Sequence, residues 1–457
     1  MTQGRDGFSL AHRAALMAGS VKRALATVLT VAVIASLAVV VTTATGYAKG
    51  KKVGTTRTRG LTDKLVVSNG GATLDGTIAT FKVKSFRSQR PIAVINGSAS
   101  YYLAGIAVNP NSVAPGTGPS VIDAIYAASD LSFLSKPTKK LPDAVYGWAP
   151  GASGASSPIV SMFSLPPICL AKNSAGDCVF LYPGNPMSKP EGIAFIPSTA
   201  DPETGESEEG AETGEPGAAA DFYVTQLMGG VVDPKTGLPA AGDTGSVLEY
   251  LPNAGSGSAL GALLSTHPIG EIEDTVACTS DEHATFLLGP VGVALDASNN
   301  IWVVNSGAGT GASYVTEYAA GSSTPVSCVD PIITIGKGIL EEGAFDAISP
   351  IDGTVWVSDL TQNAIFEFDP GDGDVLTTIA GKRTQLLGPM GVAMNSLGDL
   401  YVANNERSQI LEFEDPALGG LLNVRPNVTL LGGRSELSQP VGVALSTGVP
   451  PLKPVVR

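Results

Sequence analysis

Basic side chains recur at matching positions in an otherwise acidic chain. Three similar segments, TIGKG, TIAGKR and LLGGRS, carry Lys337, Lys382 and Arg383, and Arg434. Arg407 is predicted to lie on the same face of the fold. Ammonium and guanidinium groups gathered on one surface bind carboxylate, sulfate or acidic glycans. The spacing therefore predicts an anion-binding surface, and the alternative is that these turns simply carry solvated charge.

Amide and carboxylate side chains form a second recurring series, with Asn305, Asp359 and Asn404 spaced 54 and 45 residues apart. Each follows an apolar run that has the composition of a strand. Asn and Asp at a strand end can cap their own turn. They can also line the mouth of a binding site, and we include the three among the candidate ligand contacts.

Residues typical of catalysis or metal binding are sparse. His267 and His283 lie in one connecting segment with Glu271 and Asp274, so a zinc cluster there is an alternative that spacing does not favour. No nucleophile elbow, phosphate-binding loop or dinucleotide fingerprint is present. We therefore expect no catalytic residue and no cofactor, with calcium or zinc as the remaining alternatives.

The candidate residues belong to a repeat. GPVGVALDASNNIWVVN, GAFDAISPIDGTVWVSD and GPMGVAMNSLGDLYVAN align without gaps from Gly289, Gly343 and Gly388. Each contains an apolar run, a polar turn and a run with an aromatic residue, and a third run such as ILEF follows. Short β-branched and aromatic runs bounded by Gly, Asn and Asp indicate strands.

The repeat predicts an all-β, six-bladed β-propeller of four-stranded antiparallel blades. Looser copies lie near Gly105, Gly192 and Gly442, and a period of about 40 to 50 residues is typical of blades. The last copy ends after its first strand. KLVVSN and TIATFKV near the N-terminus supply the missing strands, so we expect the C-terminal strand to pair with them and close the ring. Seven blades are the alternative.

The motifs PxG[VI]A, [LIV][YW]Vx[ND] and [IV]xE[FY] resemble those of the NHL-repeat family of six-bladed propellers, over roughly residues 62 to 448. The resemblance implies a binding or scaffolding module for a protein, small molecule or glycan. Related propellers include lactonases and lyases that hold metal ions at the axis, so a metal-assisted lactonase or lyase is an alternative. A structural cell-envelope protein is a third.

Two further series have structural interpretations. Trp302, Trp356, Tyr401, Tyr223 and Tyr126 share one position in the second strand, and we expect them to fill the wedge between neighbouring blades rather than to bind sugar. A second series consists of carboxylates in the third strand: Glu249, Glu317, Glu367 and Glu412. We expect these to accept hydrogen bonds from the neighbouring blade.

The N-terminus has the pattern of an export signal, with Lys22 and Arg23 before the apolar run from Leu25 to Val41. Met17 is an alternative start, and an uncleaved anchor is an alternative to cleavage. We divide the chain into a signal at 1–48, a linker at 49–61, the propeller at 62–448 with an acidic disordered insertion at 200–220, and a tail at 449–457.

Charge and cysteine content bear on location and partners. Removing residues 1–48 takes the formal net charge from −14 to −17, so nucleic acid is not an expected partner and membrane contact is expected only through an uncleaved N-terminus. An even cysteine count in an exported chain suggests two disulfides. We favour Cys169 with Cys178 and Cys278 with Cys328. The expected location is secreted, periplasmic or on the cell surface.

Overall fold

A computed structural model describes most of the strand-forming sequence, all of it within one compact unit, Thr58–Arg457. The described residues are 64–70, 76–83, 90–96, 103–109, 125–129, 144–148, 151–156, 158, 160–163, 168–172, 178–181, 189–196, 222–227, 245–250, 270–273, 287–307, 313–323, 329–417, 419–431 and 435–446. The predicted signal, linker, acidic insertion and tail lie outside them.

The described part of the chain is built from short strands. In chain order these are β1 Lys64–Asn69, β2 Thr77–Lys82, β3 Ala93–Asn96, β4 Leu103–Val108, β5 Ile125–Ser129, β6 Ala144–Trp148, β7 Val160–Phe163, β8 Ile168–Lys172, β9 Cys178–Leu181, β10 Pro190–Phe195, β11 Phe222–Gln226, β12 Ser246–Tyr250, β13 Gly270–Glu273, β14 Pro290–Leu295, β15 Ile301–Asn305, β16 Tyr314–Tyr318, β17 Ile333–Ile335, β18 Gly343–Ile348, β19 Val355–Asp359, β20 Ala364–Phe368, β21 Val375–Ile379, β22 Pro389–Met394, β23 Leu400–Asn404, β24 Gln409–Phe413, β25 Gly420–Leu422, β26 Val428–Leu430 and β27 Pro440–Ser446. A 3-10 turn spans Asn405–Arg407.

Six sheets, each with four antiparallel strands, form the blades of a β-propeller, as the repeat predicts. From the innermost strand outward, blade 1 is β27-β1-β2-β3, blade 2 is β4-β5-β6-β7 and blade 3 is β10-β11-β12-β13. Blade 4 is β14-β15-β16-β17, blade 5 is β18-β19-β20-β21 and blade 6 is β22-β23-β24-β26. Each inner strand contacts those of the blades before and after it, so the ring is closed.

The ends of the chain complete one blade together. β27 pairs antiparallel with β1, with Val66 opposite Ala444 and Lys64 opposite Ser446. This pairing confirms the predicted closure, and it leaves no unpaired inner edge between the last blade and the first.

Apolar clusters fill the wedges between consecutive blades. Trp302 of blade 4 packs with Val355 and Val357 of blade 5, and Tyr401 of blade 6 packs with Val67 of blade 1. The other second-strand aromatics are buried in equivalent clusters: Trp356, Tyr223 and Tyr126. Their burial confirms that these rings hold neighbouring sheets together.

The inner strands approach one another closely at a repeated glycine. A Cβ atom on Gly192 would lie 2.5 Å from the carbonyl oxygen of Val291 in the next blade, and one on Gly391 would lie 2.6 Å from that of Val441. Only a residue without a side chain fits there. Every inner strand also shifts register with its second strand near this position, which is a bulge repeated around the ring.

Two elements lie outside the regular pattern. β25, from the segment between the third and fourth strands of blade 6, pairs in parallel with β21 and gives blade 5 a fifth strand. β8 and β9 form a hairpin between blades 2 and 3, in which Cys169 stands opposite Phe180 and Cys178 opposite Lys172. The cysteine pairings remain predictions, and Cys278 and Cys328 lie outside the described residues.

Replacing Gly442 with Ala tests the close approach of the inner strands. The new Cβ would meet Ser68 Oγ at 2.7 Å and the backbone of Ala104 and Ile106 at 2.9 Å, so we expect the free energy of unfolding to fall by about 1–3 kcal/mol. Gly371→Ala is the matched control, because its Cβ would meet only the Asp369 side chain, at 3.2 Å. Urea denaturation measures both, and equal effects would contradict the packing argument.

Candidate functional site

In blades 1, 4, 5 and 6 the residue that ends the second strand fastens the loop leading into that blade. Asn305 Oδ1 accepts a hydrogen bond of 2.8 Å from the backbone N–H of Leu288, and Asn404 Oδ1 accepts one of 2.7 Å from Leu387. Asn69 Oδ1 accepts a bond of 3.2 Å from the N–H of Ser438. We call this contact the strand-two clasp. It fixes the backbone of each incoming loop to the rigid sheet.

Blade 5 has a carboxylate in the same role. Asp359 Oδ2 accepts hydrogen bonds from the N–H groups of Glu341 and Glu342, at 2.7 and 3.3 Å. Asn305, Asp359 and Asn404 all have 0% exposure. The structure therefore places these three candidate ligand contacts beneath the surface, where they position the loops and do not reach solvent.

A cleft of about 470 Å³ opens above the clasps of blades 5 and 6. It brings together the turn between β19 and β20, the loop between β21 and β22, and the 3-10 turn after β23. The lining residues are Gln362, Asn363, Gly381, Lys382, Gln385, Leu386, Leu387 and Arg407. Two predicted cations from different blades, Lys382 and Arg407, thus share one cleft, and both are exposed.

Hydrogen bonds hold the walls of this cleft in place. Gln362 Nε2 donates to the carbonyl of Ile339 at 2.7 Å, and Asn363 Oδ1 accepts from the N–H of Gly388 at 2.7 Å. The second of these bonds joins blade 5 to the first strand of blade 6. Asn404 Nδ2 donates to the carbonyl of Gln385 at 3.0 Å, so the clasp reaches the cleft from below. These bonds hold the loops around the cleft in place, whereas the side chains of Lys382 and Arg407 extend into solvent.

The other predicted cations are placed differently. Lys337 is exposed in the equivalent loop that leads into blade 5 and is not among the residues that line the cleft. Arg383 is exposed beside Lys382, and its backbone N–H donates to Asn423 Oδ1 at 2.9 Å. Arg434 lies outside the described residues. The amide residues Gln362, Asn363 and Gln385 were not anticipated, because nothing in their type separates them from ordinary turn residues.

The third-strand glutamates have structural partners, mostly within their own blade. Glu317 accepts a bond of 2.8 Å from Asn300 Nδ2, and Glu412 accepts one of 3.0 Å from the Tyr401 hydroxyl. Glu249 fits the prediction of a partner on the next blade, since Ser323 Oγ donates to it from blade 4. The bonds of Glu317 with Asn300 and of Glu412 with Tyr401 lie within their own blades, so for these two the prediction of a neighbouring-blade partner stays a prediction. Burial raises the pKa of Glu249 and Glu317, and these hydrogen bonds oppose the rise.

Asp346 lies in the inner strand of blade 5 opposite Val357, at the position where Val293 and Val392 stand in blades 4 and 6. It is 7% exposed, and neither carboxylate oxygen has a hydrogen-bond partner. Burial raises the pKa of this carboxyl well above its ordinary value, and the residue's own backbone N–H opposes that rise without reaching hydrogen-bond geometry. The sequence contains a signal for it, because one acidic residue interrupts an otherwise apolar strand, GAFDAI.

Among the residues that the structure describes, no three or more His, Cys, Asp or Glu side chains lie together as a metal cluster. His267, His283 and Asp274 lie outside these residues. No helix within the described ranges is long and apolar enough to cross a bilayer.

Comparison with known proteins gives likeness in fold alone. No protein-family model and no curated protein matches the chain. A chain of a nidogen/laminin complex is 10% identical, with 85% of this chain and 99% of that chain covered and a TM-score of 0.46. A protein of unknown function from Bacteroides caccae is 8% identical, covering 84% and 98%, with a TM-score of 0.46. A functionally unknown protein from Desulfotomaculum acetoxidans is 11% identical, covering 84% and 98%, with a TM-score of 0.42.

Replacing Asn404 with Ala tests the strand-two clasp. The N–H of Leu387 would lose its buried acceptor, so we expect the free energy of unfolding to fall by about 1–3 kcal/mol. Amide hydrogen exchange should quicken at Leu387 and stay unchanged at Leu288, which the clasp of blade 4 holds. Asn427→Ala, at an exposed position, is the control. Exchange that quickens equally at both leucines would contradict a local clasp.

Asp346→Asn tests the cost of the buried carboxylate. A carboxyl whose pKa is raised in the folded state contributes stability below its unfolded pKa and loses it as pH rises through the folded pKa. In buffer with chelator we therefore expect Asn to raise the melting temperature at pH 7 and to have little effect at pH 4. Exposed Asp374→Asn should show no such pH dependence. A wild-type advantage at pH 7 in chelator would contradict the prediction.

Proposed function

We propose that this chain is an exported, NHL-like propeller that binds an anionic ligand in the cleft between blades 5 and 6. The observation that carries the proposal is that Lys382 and Arg407, from loops of consecutive blades, line one cleft. Guanidinium forms paired hydrogen bonds with carboxylate or sulfate, and an ammonium adds a compact second charge. The ligand class is thus a carboxylate or sulfate, free or carried on a glycan or protein.

The surrounding amides favour a polar ligand over a bare ion. Gln362, Asn363 and Gln385 give the cleft neutral hydrogen-bonding groups beside its two charges. Leu386 and Leu387 supply a small apolar floor. An acidic sugar, with one anionic group and several hydroxyls on a partly apolar ring, matches this combination of side chains. A rigid frame that carries its site in loops is the usual arrangement for a binding module.

The net negative charge of the whole molecule opposes the binding of an anion. A net charge of −14 repels anions at long range, so affinity must come from short-range contacts within the cleft. One acid, Glu406, precedes Arg407 and packs its side chain over Gly388. We infer that Glu406 weakens the cleft's attraction for anions. Export, which the N-terminal sequence predicts, would place the site where acidic glycans and envelope polymers occur.

Single substitutions in the cleft test the proposal. Calorimetric titration with glucuronate and with a sulfated disaccharide should give affinities that fall about tenfold or more in Lys382→Ala and in Arg407→Ala, because each loses a charge-assisted contact. Glu406→Gln should bind more tightly than the wild type.

Two controls separate the cleft from overall charge. Arg425→Ala removes an exposed positive charge elsewhere and Arg383→Ala removes one beside the cleft, and both should bind within about twofold of the wild type. Wild-type protein that binds neither probe, or equal losses in the controls and the cleft variants, would sink the anion-binding proposal.

A further inference from the structure

The outer edge of blade 5 is formed by a strand that blade 6 supplies. β25 pairs in parallel with β21, with Leu421 opposite Thr378, and it is the last strand of that sheet. The chain enters β25 through Gly419 and Gly420, which both have positive φ values. Residues with a Cβ atom rarely adopt that conformation. Two glycines are therefore needed for the turn that brings this strand to the edge.

One residue of β25 directs its main-chain groups away from the blade. The carbonyl oxygen of Leu422 accepts a hydrogen bond of 3.1 Å from the N–H of Ala380, so the main-chain groups of Leu422 face β21. Successive residues of a strand direct these groups to opposite edges. The N–H and C=O of Leu421 therefore face outward, on a side where β25 pairs with no other strand among the described residues. Such an edge can pair with an extended segment of another chain.

Apolar side chains are exposed along the same edge. Leu421 is 72% exposed, the highest value among the large hydrophobic residues that the structure describes. Its side chain lies on the face opposite to that of Leu422, which packs in the wedge between blades 5 and 6. Leu376 on the neighbouring strand β21 and Val424 just after β25 are also exposed. Exposed apolar side chains grouped beside an open strand edge indicate a protein-binding surface.

This edge is locally basic in an acidic molecule. The chain has 42 Asp and Glu residues, yet none falls within 375–398 or 416–435, the segments that contain β21 and β25. Arg383 and Arg425 in these segments are exposed. The backbone N–H of Arg383 donates to Asn423 Oδ1 at 2.9 Å, so the loop after β21 contacts the segment after β25. We use the name blade 5 rim for the following residues: Leu376, Leu421, Val424, Arg383 and Arg425.

We propose that the blade 5 rim binds an extended acidic segment of a partner protein, which adds a strand beside β25. The segment exchanges main-chain hydrogen bonds with Leu421, packs apolar side chains against Leu421 and Leu376, and directs carboxylates to Arg383 and Arg425. A three-residue edge offers few main-chain bonds, so the side chains supply most of the affinity.

Other occupants match the rim less well. Pairing β25 with a second copy of itself would bring two sets of arginines together and join two molecules of net charge −14. A glycan has neither the main-chain groups to pair with Leu421 nor the apolar side chains to cover it. An acidic polypeptide segment satisfies the open edge, the apolar side chains and the positive charge together.

The blade 5 rim differs from the anion cleft in both residues and ligand. Arg383 and Arg425 are not among the residues that line the cleft. The cleft fits a small anionic group, whereas the rim fits an extended chain. The inference therefore goes beyond the proposed function and does not depend on it.

Designed peptides test the rim by fluorescence anisotropy. The probe is a labelled octapeptide of alternating Glu and Val, and its counterpart of alternating Lys and Val differs only in charge. We expect the acidic peptide to bind the wild type about tenfold more tightly than the basic one, because only its charge complements the rim. Leu421→Ser and Arg425→Glu should each weaken binding of the acidic peptide about tenfold.

Two matched controls separate the rim from general surface effects. Ile351→Ser removes a side chain that is 61% exposed in the turn between β18 and β19. Arg90→Glu reverses an exposed arginine before β3 and changes the net charge as much as Arg425→Glu does. Both controls should bind the acidic peptide within about twofold of the wild type.

Hydrogen exchange measured by NMR tests the strand addition itself. The N–H of Leu421 should exchange more slowly when the acidic peptide is bound, because it then donates to the peptide backbone. The N–H of Leu422, which already faces β21, should be unchanged. Methylating the backbone nitrogens of the peptide should weaken binding, since the peptide then loses its own donors.

Four outcomes would overturn the proposal. They are a wild type that binds neither peptide at millimolar concentration, equal losses in the controls and the rim variants, binding without slower exchange at Leu421, and displacement of the peptide by saturating glucuronate. The last outcome would place the peptide in the anion cleft. If glucuronate does not bind at all, the anion cleft fails and the peptide result still decides the rim.

Discussion

The structure depends on the close approach of six inner strands around one axis. Where they meet, a Cβ atom would collide with the backbone of the next blade, as at Gly192 and Gly391. Glycine at this position in five of the six inner strands lets them converge, and the blades then splay outward from them. The widening gap between sheets requires large side chains farther out, which is where Trp302, Trp356 and Tyr401 pack. Small residues at the axis and aromatic residues in the wedges are therefore two consequences of one geometry.

The strand-two clasp connects this frame to the loops. In each case a buried amide or carboxylate satisfies backbone N–H groups that would otherwise lose hydrogen bonds on leaving water. The incoming loop is thereby fixed at one end, while the exposed side chain of Lys382 takes no part in the clasp. The clasp of Asn404 holds both Gln385 and Leu387, which line the cleft. The fold thus presents an exposed cationic side chain on a loop whose backbone is constrained.

Sequence repetition made the ring predictable, because alignment of the copies showed both the blade period and the split first blade. Repetition predicted less about side chains whose hydrogen-bond partner lies in a different loop. Asn305 and Asn404 are spaced like turn caps, yet each binds an N–H group 17 residues earlier in the chain. Glu317 and Glu412 find partners that the strand pattern alone does not specify. The cleft likewise requires knowing that the loop after β21 meets the turn after β23, and the fifth strand β25 leaves no periodic signal in three residues.

Blade 5 differs from the repeat pattern of the other blades in two residues and in its number of strands. It has Asp346 where the other inner strands have Val or Ile, Asp359 where blades 1, 4 and 6 clasp with asparagine, and a fifth strand contributed by blade 6. It also forms one wall of the cleft that contains Lys382 and Arg407. Val or Ile at position 346, as in the other inner strands, would fill this place without burying a carboxyl group, so packing alone does not account for aspartate. Sequences that violate local rules tend to do so at functional sites, and blade 5 combines such a violation with the cleft that we assign to ligand binding.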